Sequence, residues 1–150
     1  MTQSARAEVV PNLIVESVET LRAFYLEQLG FDHMMGMVGK DGKLDFCIVT
    51  RRGAKVMLNR AQGHVEGAAL RHATARPLEL YIEVQEVDAY HQQVSARTRV
   101  TDALVTQWWG DRNFSVTDPY GYKIWFFQNV TDWETLVATG KVPPAGVTLV

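Results

Sequence analysis

The chain carries one pattern twice. Asp45 to Leu58 aligns without a gap on Asn113 to Phe126, 68 positions later, with Phe, Gly and Lys in identical places and Val56 and Leu58 meeting Ile124 and Phe126. Upstream, Val15-Glu16-Ser17-Val18-Glu19 meets Val84-Gln85-Glu86-Val87-Asp88 at an offset of 69. One insertion or deletion reconciles the two offsets. Two copies of so long a unit exclude a solenoid and point to a pseudo-symmetric pair of modules. A cleft where the halves meet is then the natural ligand site.

The pattern within each copy gives the module. Val9 to Val15 reads as a strand, and Ser17 caps a helix over Thr20 to Leu29, where Leu21, Phe24, Tyr25 and Leu29 recur at helical spacing and Gly30 ends it. Met34 to Val38, Leu44 to Thr50 and Lys55 to Asn59 read as strands, the last two joined at Arg51-Arg52-Gly53. The second copy places strands at Leu78–Val84, Arg99–Thr106, Asn113–Thr117 and Lys123–Gln128, with a helix over Asp88–Ala96. Asp118-Pro119-Tyr120-Gly121 has turn chemistry: Asp caps, Pro fixes φ, and Gly takes the positive-φ position. The expectation is one domain over residues 1–150, made of strand–helix–three-strand modules at 9–60 and 78–128. A linker spans 61–77, with a helical turn near Ala68-Ala69-Leu70. A short helix opened by a capping box at Thr131-Asp132-Trp133-Glu134 and an irregular tail complete 129–150.

Composition excludes several classes. With 150 residues, 47% of them hydrophobic and 21% charged, the chain can bury a sizeable core. A net charge of -2 leaves no footprint for nucleic acid. No apolar run is long enough to span a membrane. The one cysteine, Cys47, cannot form an intramolecular disulfide and fits a cytoplasmic chain.

Three segments resemble the vicinal oxygen chelate superfamily, which holds glyoxalase I, extradiol dioxygenases and bleomycin-resistance proteins. They are Val15 to Glu19 running into Ala23-Phe24-Tyr25 and Leu29-Gly30-Phe31; Tyr81-Ile82-Glu83-Val84 with Val87-Asp88-Ala89; and Trp109 to Gly121. The last looks most like the bleomycin-resistance branch. The resemblance implies an α+β fold of tandem βαβββ modules, with strands curled into a cupped sheet, helices outside, and a homodimer around the cavities. It also places metal ligands of the family at Val10, Met57, Glu79 and Trp125. Of these only Glu79 offers a hard donor, because Val and Trp have no suitable lone pair and a Met thioether suits soft copper(I). The family's metal chemistry is therefore expected to be absent, with no cofactor and no catalytic residue assigned. His33, His64, His72 and His91 read as solvated surface histidines.

Strand alternation divides the two faces of each sheet. Phe46, Ile48, Val56, Leu58, Leu80, Ile82, Ile124 and Phe126 are expected in the core. The opposite face receives Asn12, Asp45, Cys47, Val49, Lys55, Met57, Asn59, Glu79, Tyr81, Glu83, Lys123, Trp125 and Phe127. Trp108 and Trp109 either form a rim to that face or pack as one core and one interface residue. Candidate ligand-binding residues are Asn12, Cys47, Met57, Asn59, Glu79, Tyr81, Trp108, Trp109, Trp125 and Phe127. Cys47 has no neighbouring base in sequence and reads as an inert thiol. Arg112 reads as a structural ion pair, and Arg51-Arg52 as a solvated tip. Three functions compete: a non-enzymatic protein sequestering an aromatic antibiotic or metabolite, a metal-dependent lyase, isomerase or dioxygenase, and a scaffold whose own side chains fill its cavity.

Overall fold

The computed structural model describes residues 7–61 and 76–150. The proposed helical turn at Ala68-Ala69-Leu70, with His64 and His72, lies outside them. The chain divides into two compact units, Met1–Arg71 and His72–Val150. Each holds one four-stranded mixed sheet, and three α-helices among the described residues complete an α+β fold.

In unit 1 the elements are β1 (Asn12–Val15), α1 (Val18–Ala23), a π-helical turn (Phe24–Gln28), β2 (Asp32–Val38), β3 (Leu44–Arg51) and β4 (Ala54–Arg60). The strand order is β1-β4-β3-β2, with β1 parallel to β4 and the rest antiparallel. β1 is shorter than expected, because Pro11 has no amide to extend the ladder; its carbonyl still accepts from Met57 N at 2.8 Å. Ser17 caps α1 as expected, its Oγ accepting from Thr20 N at 3.2 Å. The last helical turn is π rather than α, closed by Leu29 N to Phe24 O at 3.3 Å. Leu21, Tyr25 and Leu29 are buried against Leu13, Val15, Val56 and Leu58, each burial contributing about 1.5–3 kcal/mol.

Unit 2 repeats the plan with β5 (Glu79–Glu83), α2 (Val87–Ser95), β6 (Val100–Thr106), β7 (Asp111–Thr117), β8 (Lys123–Asn129) and α3 (Trp133–Ala138). The order is β5-β8-β7-β6, again with one parallel pair, β5 and β8. Val87, Tyr90 and Val94 of α2 are buried with Phe114, Val116, Ile124 and Phe126. Tyr90 meets Phe126 edge-on, with centroids 4.9 Å apart. Arg112 pairs with Asp88 of α2 at 3.0 Å, as the structural ion pair expected. The C-terminal helix is capped by Asp132, not Thr131: its Oδ1 accepts from Thr135 N at 2.8 Å.

The two copies differ by one residue inside the hairpin. Thr50 pairs with Lys55 across four residues, whereas Thr117 pairs with Lys123 across five. The first turn is a tight one, with Arg52 at φ 47 and Gly53 at φ 93. The second accommodates the extra residue through Asp118, whose Oδ1 accepts from Tyr120 N at 2.8 Å and Tyr122 N at 3.1 Å. The ungapped alignment across this turn is therefore wrong for β3. A slip of one residue turns every side chain to the other face. Cys47 pairs with Leu58 and Val49 with Val56 in the core, both at 0% exposure, while Phe46 and Ile48 take the opposite face. The expected phase of β3 is reversed; those of β4, β5 and β8 hold.

Candidate functional site

Among the described residues, each sheet has one face packed by a helix of its own unit and one that is not. In unit 1 the uncovered face carries Asn12 of β1 and Met57 and Asn59 of β4, with Asn12 and Met57 in direct register. Asn59 Nδ2 donates to Asn12 Oδ1. Ile48 and Phe46 of β3 continue the same face beside Met57 and Asn59, and Met35 and Met37 of β2 follow in register. This surface is apolar and rich in thioethers, which adapt to irregular shapes. Cys47 does not belong to it. Its thiol lies on the α1 side, and burial pushes its pKa up to about 11, with Arg22 and Glu19 of α1 as the nearby charges. A thiol so placed is neutral and unreactive at physiological pH.

The uncovered face of unit 2 is aromatic and polar. Parallel register sets Tyr81 beside Trp125 and Glu83 beside Phe127. The Tyr81 and Phe127 rings stack, with centroids 4.3 Å apart and planes 17° from parallel. Trp125 lies 6.5 Å from Tyr81 at a 49° tilt. β7 contributes Asp111, Asn113 and Ser115 to the same face. The Tyr81 hydroxyl donates to Asp111 Oδ2 at 2.9 Å and accepts from Asn113 Nδ2 at 3.0 Å. Gln107 Nε2 donates to Asn113 Oδ1 at 3.1 Å, which completes the side chain of a residue only 1% exposed. Burial raises the Tyr81 pKa and the Asp111 carboxylate adds to this, so the phenol keeps its proton and acts as donor.

Trp109 joins this network, donating from Nε1 to Asp111 Oδ2 at 3.2 Å. Trp108 packs edge-on against Trp109 at 5.5 Å and against Trp133 of α3 at 6.3 Å. The tight turn beneath them depends on Gly110 at φ 100, where a Cβ would collide with the Thr131 carbonyl at 2.1 Å. At the other end of the face, Lys123 Nζ lies 3.0 Å from Asp102, 3.6 Å from Glu79 and 5.4 Å above the Trp125 ring. Ser115 donates to the Asp102 carboxylate; that bond, then Lys123, holds the Asp102 pKa below its ordinary value.

Glu79, Tyr81, Trp109, Trp125 and Phe127 are thus brought together in unit 2, with Trp108 one ring away. Asn12, Met57 and Asn59 are brought together in unit 1. Sequence reading missed Asp111, Asn113, Ser115 and Asp102, although alternation along β7 would have placed the first three on the Tyr81 face. Among the described residues, one surface concavity of about 670 Å3 lies between α2 and β6, lined by His91, Ser95 and Arg99 among others, and another of about 420 Å3 lies beside Ser17, Lys43 and Arg60. Neither presents the converging aromatic and polar groups of the Tyr81 face.

The donor set does not fit a hard divalent cation. Of the four expected ligand points, Val10, Met57 and Trp125 provide no hard ligand, and the fourth, Glu79, faces the Lys123 ammonium. Among the described residues no three His, Cys, Asp or Glu side chains converge on one point.

A protein of Mycobacterium bovis described as uncharacterised is 31% identical over 116 residues, covering 75% of this chain and 76% of that one. The bleomycin-binding protein of bleomycin-producing Streptomyces verticillus, solved with copper(II)-bleomycin, superposes with a TM-score of 0.58 at 20% identity, covering 87% of this chain and 100% of that one. A glyoxalase-related enzyme from Clostridium phytofermentans superposes with a TM-score of 0.64 at 16% identity, covering 85% and 98%. At such identities the likeness is one of fold. Residues 7–126 match the family model that spans both kinds of protein, and the chain belongs to the Glyoxalase/Bleomycin resistance protein/Dioxygenase superfamily.

Proposed function

We propose that this protein binds a small, partly aromatic antibiotic or metabolite and sequesters it without transforming it. One observation carries the reading. Tyr81, Trp125 and Phe127 stand together on a sheet face that no described helix of their unit covers, and Asp111 and Asn113 fix the Tyr81 hydroxyl. Flat rings held in place, with a few anchored polar groups, suit a planar ligand. The similarity of fold to a bleomycin-binding protein supports it. Asn12, Met57 and Asn59 form a second candidate surface, without rings but with a thioether beside a hydrogen-bonded amide pair. Thermal-shift screening against aromatic antibiotics and metabolites tests the proposal, since a ligand at 100 times its Kd adds ~2.7 kcal/mol. A well-folded protein that no compound stabilises would overturn it.

The protein is further proposed to act as a cytoplasmic homodimer. β2 is an edge strand exposed along its whole length, and Met34, Met35, Met37 and Val38 on it are 39–65% exposed. An apolar open edge calls for a cover. Light scattering at micromolar concentration is expected to give twice the chain mass.

Two other readings each have an observation behind them. The family description includes glyoxalases and dioxygenases; a metal-dependent enzyme predicts stoichiometric divalent metal that is lost on Glu79→Gln. The Tyr81–Phe127 stack also suits a scaffold that fills its own face; that reading predicts no ligand response and a large stability loss when Trp125 is truncated.

A further inference from the structure

We propose that the unit 2 face takes a cation: its ligand is a planar aromatic molecule that carries positive charge. This rests on the binding reading above and adds the ligand's charge. β5, β6 and β7 bring Glu79, Glu83, Asp102 and Asp111 to one face, and among the described residues of that face only Lys123 is basic.

The position of Lys123 shows what the face does with a cation. Its ammonium sits between the Asp102 and Glu79 carboxylates, at 3.0 and 3.6 Å, and above the Trp125 indole at 5.4 Å. Carboxylates around an aromatic plane are the arrangement that recognises an organic cation. Asp102 and Glu79 are thereby engaged. Glu83 and Asp111 are not: neither forms an ion pair with a described residue, and they flank the Tyr81–Phe127 stack from β5 and β7. Asp111 is hydrogen-bonded by Tyr81, Trp109 and Asn129, but all three donors are neutral, so its charge remains. These bonds also fix the carboxylate in space beside the rings.

The consequences for a ligand follow by sign. A neutral ring gains stacking alone. An anionic ring gains stacking and meets like charge. A cationic ring gains stacking, cation–π attraction and the field of Glu83 and Asp111 together.

Three tricyclic probes of similar size separate these cases: proflavine, a planar cation at neutral pH, acridone, which is neutral, and 9-anthracenecarboxylate, an anion. Fluorescence titration of the full chain should rank them in that order, with proflavine about tenfold tighter than acridone. Added salt should weaken proflavine and leave acridone unchanged. Glu83→Gln should weaken proflavine about threefold without altering acridone, and Lys123→Met should tighten it, because two carboxylates are released. Equal binding of proflavine and acridone would overturn the charge inference and leave planar-ligand binding standing. Failure of all three probes, with circular dichroism showing a folded chain, would overturn both. Loss of acridone along with proflavine in Glu83→Gln would also count against the charge inference, since it would mean the substitution disturbed the stack.

Discussion

Tyr81 lies flat against Phe127, 4.3 Å between ring centroids, and its hydroxyl reaches across to Asp111 and Asn113 of β7. One side chain from β5 therefore ties together β8 and β7 on the uncovered face. The stack fixes the plane of the ring and the two hydrogen bonds fix its tilt. A ligand meeting this face finds an aromatic platform already ordered, so less conformational entropy is lost on binding.

Trp125 tests whether that platform binds or merely packs. It is half-buried, on the face opposite Ile124 and Phe126. Trp125→Ala is expected to abolish ligand binding while costing less than the ~3–5 kcal/mol typical of emptying a packed aromatic site. A denaturant melt read beside a ligand titration checks both halves. A cost at the top of that range would place the indole in packed core and remove it from the site.

Much of this was legible in the sequence. The tandem copies revealed two modules and their order of elements, though the expectation was one cupped sheet where each module holds its own, and alternation placed Tyr81, Trp125 and Phe127 on one face because Leu80, Ile124 and Phe126 so plainly occupy the other. What failed was β3. Phe46 and Phe114 are one of the identical pairs of the repeat, yet Phe46 pairs with Asn59 on the uncovered face and Phe114 with Phe126 in the core. The extra residue in the second hairpin is invisible in an ungapped match, because glycine with positive φ ends both turns. Asp111 and Asn113 were missed for another reason. The expected strand began at Asn113 and left Asp111 outside it, and only the cross-strand Tyr81 hydroxyl shows that the two are organised around it.

That difference between the copies predicts unequal mutational costs. Phe114→Ala should destabilise by ~3–5 kcal/mol, since the ring is fully buried against Tyr90 and Phe126. Phe46→Ala, in a half-buried site, should cost under ~2 kcal/mol. Paired urea melts decide it, and equal costs would mean that Phe46 is core after all.

Cys47 should be silent toward thiol reagents in the folded protein. It is fully buried, and desolvation lifts its pKa from 9.0 to about 11. Iodoacetamide at pH 8 is expected to label it only in denaturant. The linkage has a definite sign: the folded state holds the thiol proton more tightly than the unfolded state, so this contribution to stability is complete below pH 9 and declines as pH rises toward 11. Cys47→Ser, which has no such thiol to ionise, should lack that alkaline component.

Asp118 has the same linkage sign as Cys47, but in an acidic window. It is 3% exposed; Oδ1 accepts from Tyr120 N and Tyr122 N, and Oδ2 has no hydrogen-bond partner among the described residues. Burial is the dominant influence and raises its pKa from 3.8 to about 6, against the backbone amides and the nearby Arg76, which pull it down. Because the folded pKa is the higher one, the folded state binds the proton first as pH falls. Above pH 6 it carries a desolvated carboxylate at full cost; between pH 6 and 3.8 protonation relieves that cost, by up to about 3 kcal/mol for a shift of this size. Asp118→Asn keeps an acceptor for the two amides and cannot ionise. Its stability relative to wild type should therefore be greater at pH 8 than at pH 5, and the gap should close through pH 6. Denaturant melts of both proteins at a series of pH values measure the gap directly. A difference that stays constant from pH 8 to pH 4 would show that Asp118 titrates alike in the folded and unfolded chain.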